Sequence, residues 1–455
     1  MWFQLLTVFH RPVAPWWASL TAVRSAGKAD SLRGRFARGT VWLLIGAIIS
    51  QGSNLVASII AARLLGRDLF GKYGIIQSTV GMLGVFAGLG LGITATKYVA
   101  ELRTRDPERA GRIIAQSLLV SLISGGLIAA ALILFAPVLA ANTMNAPSLA
   151  PELRIAAVLL FINAFNGAQT GTLSGFEAFR TIARINLVRG IVTLPVTVAL
   201  VHLWRLPGAI WALAVSSAVA CLHSQVCLRR HCKAAGIHLQ FSWAWYEWSV
   251  MWTFSAPVFL SSALAGAVTW AANTMLVNQP SGYAEMGVLS AANQWRAVIG
   301  FVPGVLGQFA LPVLSSLHGE QDRARYAQGL RWNLLLTAVA GGATALPVIL
   351  GAHVIMRSYG VGFREGWLVL VLSATTAVIS CINSVVGTAI LSSGSVWAGF
   401  AFNAMWAVVF ISGCHILVPN HGSLGLATAM LGAYVGHTIW QGVYLRRRLY
   451  RLRRQ

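Results

Sequence analysis

The chain alternates between long apolar runs and short polar breaks. Crossing about 30 Å of hydrocarbon takes roughly 20 apolar residues in a helix. Twelve stretches meet that length: about 40–62, 73–96, 113–140, 153–174, 185–204, 208–228, 253–277, 285–312, 331–350, 367–391, 396–417 and 423–445. The connections between them are short, the longest being the segment around 229–252. The pattern predicts an all-α polytopic membrane protein with about 12 transmembrane helices and no sizeable soluble domain.

Composition agrees with the pattern. Only 10% of the 455 residues are charged and mean hydropathy is +0.69, whereas a soluble protein carries roughly 25% charged residues. Five cysteines, several inside apolar runs, argue against a disulfide framework. Cys227 and Cys232, with His223 and His231 nearby, match no zinc-ligand spacing. Neither a metal nor a cofactor is expected.

A formal charge of +22 in a soluble chain would point to nucleic acid. Here the positions of the charges decide otherwise. With the amino terminus in the cytoplasm, the inside segments collect 26 Lys and Arg and the outside segments seven. That bias predicts both termini in the cytoplasm and leaves the excess charge as an orientation signal and an attraction to anionic lipid. Residues 1–38 lack the uninterrupted apolar stretch and cleavage pattern of a signal peptide and read as an interfacial amino-terminal arm. Residues 446–455 form a basic cytoplasmic tail.

The chain also resembles itself at an offset of roughly 213–216. "FGKYGIIQSTVGMLGVF", from Phe70, matches "YAEMGVLSAANQWRAVIGF", from Tyr283, and each leads into a charged turn before the next span. Six spans per half keep the same orientation. The expectation is therefore two six-helix lobes, 39–228 and 253–445, joined by a cytoplasmic linker at 229–252 and related by a parallel pseudo-two-fold repeat. Transporters built this way bind between the halves and rock them.

The stretch "RLLGRDLFGKY" at 63–73, followed by "GLGLGITATKYVAE" at 88–101, resembles the opening of polysaccharide-biosynthesis, O-antigen (Wzx-type) flippases of the multidrug/oligosaccharidyl-lipid/polysaccharide exporter superfamily. The twelve-span plan extends the resemblance over about residues 36–446. It implies movement of an undecaprenyl-diphosphate-linked oligosaccharide from the cytoplasmic to the periplasmic leaflet of a bacterial inner membrane. A polymerase and a chain-length regulator are the implied protein partners. Two alternatives stay open: another exporter of the same fold, for a peptidoglycan precursor or a drug, and a membrane glycosyltransferase. The last would need a larger outside loop with catalytic residues, so the chain reads as a transporter and not an enzyme.

Three constellations carry candidate chemistry. "GLGLG" at 88–92 is no phosphate loop, since no strand precedes it. With Gln77, Gly81 and Gly84 it makes one small-residue face on the second span, read first as close helix packing and second as room for a bulky cargo. On the first span Ser50, Asn54 and Ser58 share a stripe, with Gln51 beside it.

The eighth span holds the third. Ser290, Asn293, Arg296, Gly300, Gly304 and Gly307 share a face, and Pro303 is expected to kink it. An arginine at mid-depth costs about 2.5–3.5 kcal/mol on insertion scales, and no Asp or Glu lies deep in any span to pair with it. A guanidinium fork suits a diphosphate. Arg296, Asn293, Gln294, Gln51, Asn54 and Gln77 are the candidate substrate-binding residues, and Trp270 and Trp295 are candidates to stack on sugar. The mid-span histidines His437 and His223 are left out of the mechanism. Energy is expected from the membrane potential, with or without ion exchange.

Overall fold

The computed structural model describes residues 32–241, 244–247, 256–319, 323–392 and 396–454. Most of the amino-terminal arm expected over 1–38 lies outside them, as does the second charged turn around 320–322. Among the described residues every regular element is a helix: α1 (Leu32–Gly88), α2 (Leu91–Leu102), α3 (Pro107–Val138), α4 (Ala150–Gly175), α5 (Phe179–Ala234), α6 (Ala256–Val277), α7 (Gly282–Gly319), α8 (Arg323–Leu350), α9 (Ala352–Ser358), α10 (Trp367–Ser392) and α11 (Val396–Arg454).

Three of these rods are too long for one crossing. α1, α5 and α11 run for 57, 56 and 59 residues, which at 1.5 Å per residue is about 85 Å. Each contains one non-helical residue: Gly66 (φ 77°), Arg205 (φ 50°) and Gly422 (φ 53°). In α5 the two arms then lie side by side, since Arg189 Nη2 donates to Ser217 Oγ at 3.2 Å across the break. In α11, a Cβ on Gly413 would sit 3.0 Å from the Ala429 Cβ. Among the described residues six helical stretches are long and apolar enough to cross a bilayer, or seven with the bent pair 49–88 and Leu91–Leu102. Dividing the long rods at their breaks is consistent with the twelve spans expected.

The repeat is visible in these breaks. Arg205 and Gly422 are 217 residues apart (422 minus 205), and so are Gly208 and Gly425 (425 minus 208). Gly208 faces the Leu200 carbonyl oxygen, where a Cβ would sit at 1.9 Å, and Gly425 faces that of Leu417, at 2.3 Å. Both hairpins close only because no side chain intervenes.

Local sequence explains the turn before α3. Asp106 caps it by accepting from the Arg109 amide at 2.9 Å, with Pro107 in its first turn and Glu108 beside the positive helix end. The linker is fastened to the same helix. Glu247, 6% exposed, accepts from Arg109 Nε at 3.1 Å and from Arg112 Nε and Nη2 at 3.3 Å.

α1 carries the junction between the halves, packing on α5 within its own half and on α6 and α7 of the other. The stretch at 63–73 is that junction residue by residue. Arg63 Nε donates to the Ser358 carbonyl at 2.5 Å. Arg67 Nε donates to the Ala284 carbonyl at 2.9 Å, and its Nη2 pairs with Glu285. Phe70, fully buried, packs on Tyr359 and Phe363 at centroid distances of 6.4 and 5.9 Å. Gly71 brings backbone onto backbone: a Cβ there would lie 1.7 Å from the Tyr283 oxygen, and one on Gly287 would lie 2.2 Å from that of Arg67. One turn on, a Cβ on Gly74 would sit 1.9 Å from Ser290 Oγ.

These contacts predict opposite outcomes for glycines one helix face apart. Gly71→Leu is expected to destabilise the protein by about 1–3 kcal/mol or more, because an overpacked side chain must push the two backbones apart. Gly81→Ala meets nothing within 4 Å and is expected to leave stability unchanged or raise it by up to about 1 kcal/mol through helix propensity. Thermal melts of the two variants in one detergent check both.

Candidate functional site

Below the Gly74–Ser290 contact the glycine face of α1 meets open space. A Cβ on Gly81, Gly84 or Gly88 would find nothing within 4 Å. This corrects the packing reading of these three positions: they border a cavity of about 410 Å³, shared with residues of α2, α4 and α6 that include Leu91, Leu160, Asn163 and Phe259. Gly92 does pack closely: a Cβ there would sit 2.9 Å from the Gly167 carbonyl oxygen. The interlobe packing glycines are Gly71 and Gly74, which the sequence reading did not single out. Between α1 and α2 the chain bends by 43° at Leu89 and Gly90, both left-handed.

A second cavity, of about 380 Å³, lies in the carboxy-terminal half. α6 contributes Thr269 and Asn273, α7 contributes Asn293, Arg296 and Ala297, α10 contributes Ala377 and Ser380, and α11 contributes Leu426 and Met430. Asn273 also donates to Ser78 of α1 at 2.8 Å, so this cavity abuts the interlobe seam. The lining mixes hydroxyls and amides around one guanidinium, with no carboxylate in it.

Arg296 is part-buried and held by weak, neutral acceptors. Nη1 reaches Met430 Sδ at 2.7 Å and Asn293 Oδ1 at 3.5 Å. Among the described residues no carboxylate lies within 4 Å of it; the ion pairs there are Arg67–Glu285, Lys72–Asp68, Arg103–Glu177 and Glu247 with Arg109 and Arg112. A thioether is a poor acceptor for a cation, and Arg296 lines the cavity together with Asn293, Thr269, Asn273 and Ser380. The arrangement suits an anion with several oxygens.

The six candidate residues separate. Arg296 and Asn293 line one cavity together. Gln294 is part-buried on the same helix and lines neither cavity. Gln51 and Asn54, on the first arm of α1, also line neither, and Gln77 lies against the Tyr73 hydroxyl. The two candidate aromatic platforms have these contacts in the structure. Trp270 Nε1 donates to Thr79 Oγ1 at 3.0 Å, pinning α6 to α1, and Trp295 packs on the core. α7 is one helix through Pro303.

One further cation was hidden in the sequence by its neighbours. Arg189 follows Arg180 and Arg184 and reads as part of a cytoplasmic cluster. The structure places it ten residues into α5, on the face that carries the buried Thr193 and Thr197.

The chain is similar to known proteins along nearly its whole length. It is 24% identical over 430 residues to an EPS I polysaccharide export inner membrane protein, EpsE, of Ralstonia nicotianae, covering 93% of this chain and 96% of that one. It is 20% identical over 412 residues to the lipid III flippase of Escherichia coli K12, covering 90% and 98%. Among solved structures, an inward-facing MATE family transporter of the MOP superfamily superposes with a TM-score of 0.70 at 16% identity, covering 91% of this chain and 99% of that one. An outward-facing one gives 0.68 at 18% identity, covering 92% and 96%. These share the fold. The family model described as polysaccharide biosynthesis protein matches residues 36–318, more than half of the sequence, and the chain belongs to that family.

Proposed function

We propose that this chain flips a polyprenyl-diphosphate-linked oligosaccharide from the cytoplasmic to the periplasmic leaflet of the bacterial inner membrane, by alternating access between its two halves. The observation that carries the reading is Arg296: a guanidinium in a cavity beside the seam, with no carboxylate within ion-pair distance among the described residues. A drug cation would meet repulsion there, whereas a diphosphate supplies the charge that the cavity lacks. The names of the relatives, for polysaccharide export and lipid III flipping, support the same class of cargo. Asn293 adds an amide at the phosphate end. Gln294, Gln51, Asn54 and Gln77 lie outside both cavities in this conformation and reach the cargo as the halves rock. The glycine-lined cavity opposite provides the room that sugars need.

The basic-residue bias supports both termini in the cytoplasm, which puts the Gly66, Arg205 and Gly422 breaks at the periplasmic end. The latch of Arg67 with Ala284 and Glu285 closes that end, and Glu285 is fixed in turn by the Ser423 amide at 3.0 Å and its hydroxyl. With open space along α1 below Gly74, the conformation is the inward-facing one. Two negative charges moving outward across an inside-negative potential gain roughly 4–5 kcal/mol per 100 mV, so export needs no intramembrane acid. A polymerase and a chain-length regulator would take up the product.

In a leaflet-accessibility assay of the lipid-linked sugar at matched protein levels, Arg296→Gln is expected to slow flipping by about tenfold or more, the loss of one charge-assisted contact. Arg296→Lys should keep part of the rate, since the charge remains and the fork does not. Full activity of the Gln variant removes Arg296 from the mechanism. The latch has its own check, with Gly84→Cys as a reporter in a chain whose native cysteines are serine. Glu285→Gln is expected to raise labelling by an impermeant thiol reagent from the periplasmic side by about 5–30-fold, the effect of 1–2 kcal/mol on the open population. Unchanged labelling would mean that the latch does not gate.

A further inference from the structure

Arg189 presents the same electrostatic problem as Arg296, in the other half and outside both cavities. It sits ten residues after Phe179, about 15 Å along the helix. Ile182, Ile185, Thr193 and Thr197, at helical spacing around it, are all buried. The side chain therefore points into the amino-terminal half and not toward lipid. Of its five N–H donors, one reaches Ser217 Oγ at 3.2 Å, and Nε is fully covered without any partner. Ser217 is itself wholly buried. The carboxylates that form ion pairs among the described residues are committed elsewhere, Glu177 to Arg103, Glu247 to Arg109 and Arg112, Glu285 to Arg67 and Asp68 to Lys72.

A hydroxyl lends no net negative charge, and a part-buried cation with a fully covered Nε pays a desolvation cost that no ion-paired carboxylate offsets. A residue kept only for packing would do better as an apolar side chain of the same length. We propose that Arg189, with Ser217, forms an anion-binding site in the amino-terminal half that takes a phosphate group, distinct from the Arg296 cavity. Arg189 supplies the charge and the planar fork. Ser217 accepts from one arm of that fork and fixes its orientation. The part-buried side chain leaves the site reachable. Two sources share this chemistry, free inorganic phosphate and the diphosphate of the cargo proposed above; only the second rests on that reading.

The test uses purified full-length protein in phosphatidylcholine nanodiscs, titrated at constant ionic strength with inorganic phosphate and, separately, with undecaprenyl diphosphate, while thermal stability is followed. Arg189→Met is the first variant, because replacing an unpaired buried charge by an apolar side chain is often neutral or stabilising. Its melting point without ligand should equal or exceed that of wild type, which a structural, ion-paired arginine would not allow. Its apparent affinity for whichever ligand stabilises wild type should fall by about tenfold or more. A response to free phosphate that survives Arg296→Gln assigns a separate ion site. A response to the diphosphate lipid alone, lost in both Arg189→Met and Arg296→Gln, assigns Arg189 to the cargo. Titrations of Arg189→Met and Arg189→Gln that match wild type with both ligands overturn the proposal and leave the Arg296 reading untouched.

Discussion

A permanent positive charge has been placed where water is scarce, and no acid accompanies it. That constraint organises the molecule's chemistry. The neighbours of Arg296, Met430 and Asn293, offer only weak acceptors. Elsewhere the chain pairs its arginines readily, as Arg67, Arg103, Arg109 and Arg112 show. The acids that form these pairs lie at or near the ends of the spans, and none lines the Arg296 cavity. An anion that visits and leaves is the partner that fits such a group.

Under the proposed function, the seam would decide when such an anion can enter. The second arm of α1, after Gly66, and α7 start side by side, held at backbone contact through Gly71 and Gly287 and by the Arg67–Glu285 pair. Farther along, the same face of α1 borders a cavity. A bond at one end with space at the other is the geometry of a rocking joint. The contacts that would have to break to reverse it are this polar latch and an apolar seam in which Phe70, Tyr359 and Phe363 sit with Met286, Val288 and Leu289. Gly66 and Gly422, at the breaks within α1 and α11 beside the latch, take left-handed conformations that other residues adopt only with strain.

Much of this was legible in the sequence, for physical reasons. Apolar run length reports hydrocarbon thickness directly, so the helical class could be read off, and the twelve runs are consistent with the long rods divided at their breaks. The repeat survived in turn chemistry, and Gly208 and Gly425 hold equivalent contacts. Arg296 stood out because no other charge shares its span's depth. What could not be read was partnership. Gly71 and Gly81 are the same residue type on one helix, and only the path of α7 makes one a contact and the other a cavity wall. Trp270 and Trp295 looked like sugar platforms, yet their partners turn out to be Thr79 and the core. Arg189 was masked by Arg180 and Arg184, since a one-dimensional pattern shows where a charge lies along the chain and not which way it faces.

The central claim is that the Arg296 cavity recognises a diphosphate. Its most direct measurement compares the binding of undecaprenyl diphosphate and undecaprenyl monophosphate to the purified protein, wild type and Arg296→Gln, by native mass spectrometry. The account predicts that wild type prefers the diphosphate and that this preference collapses in the variant. An equal preference in both proteins would contradict it.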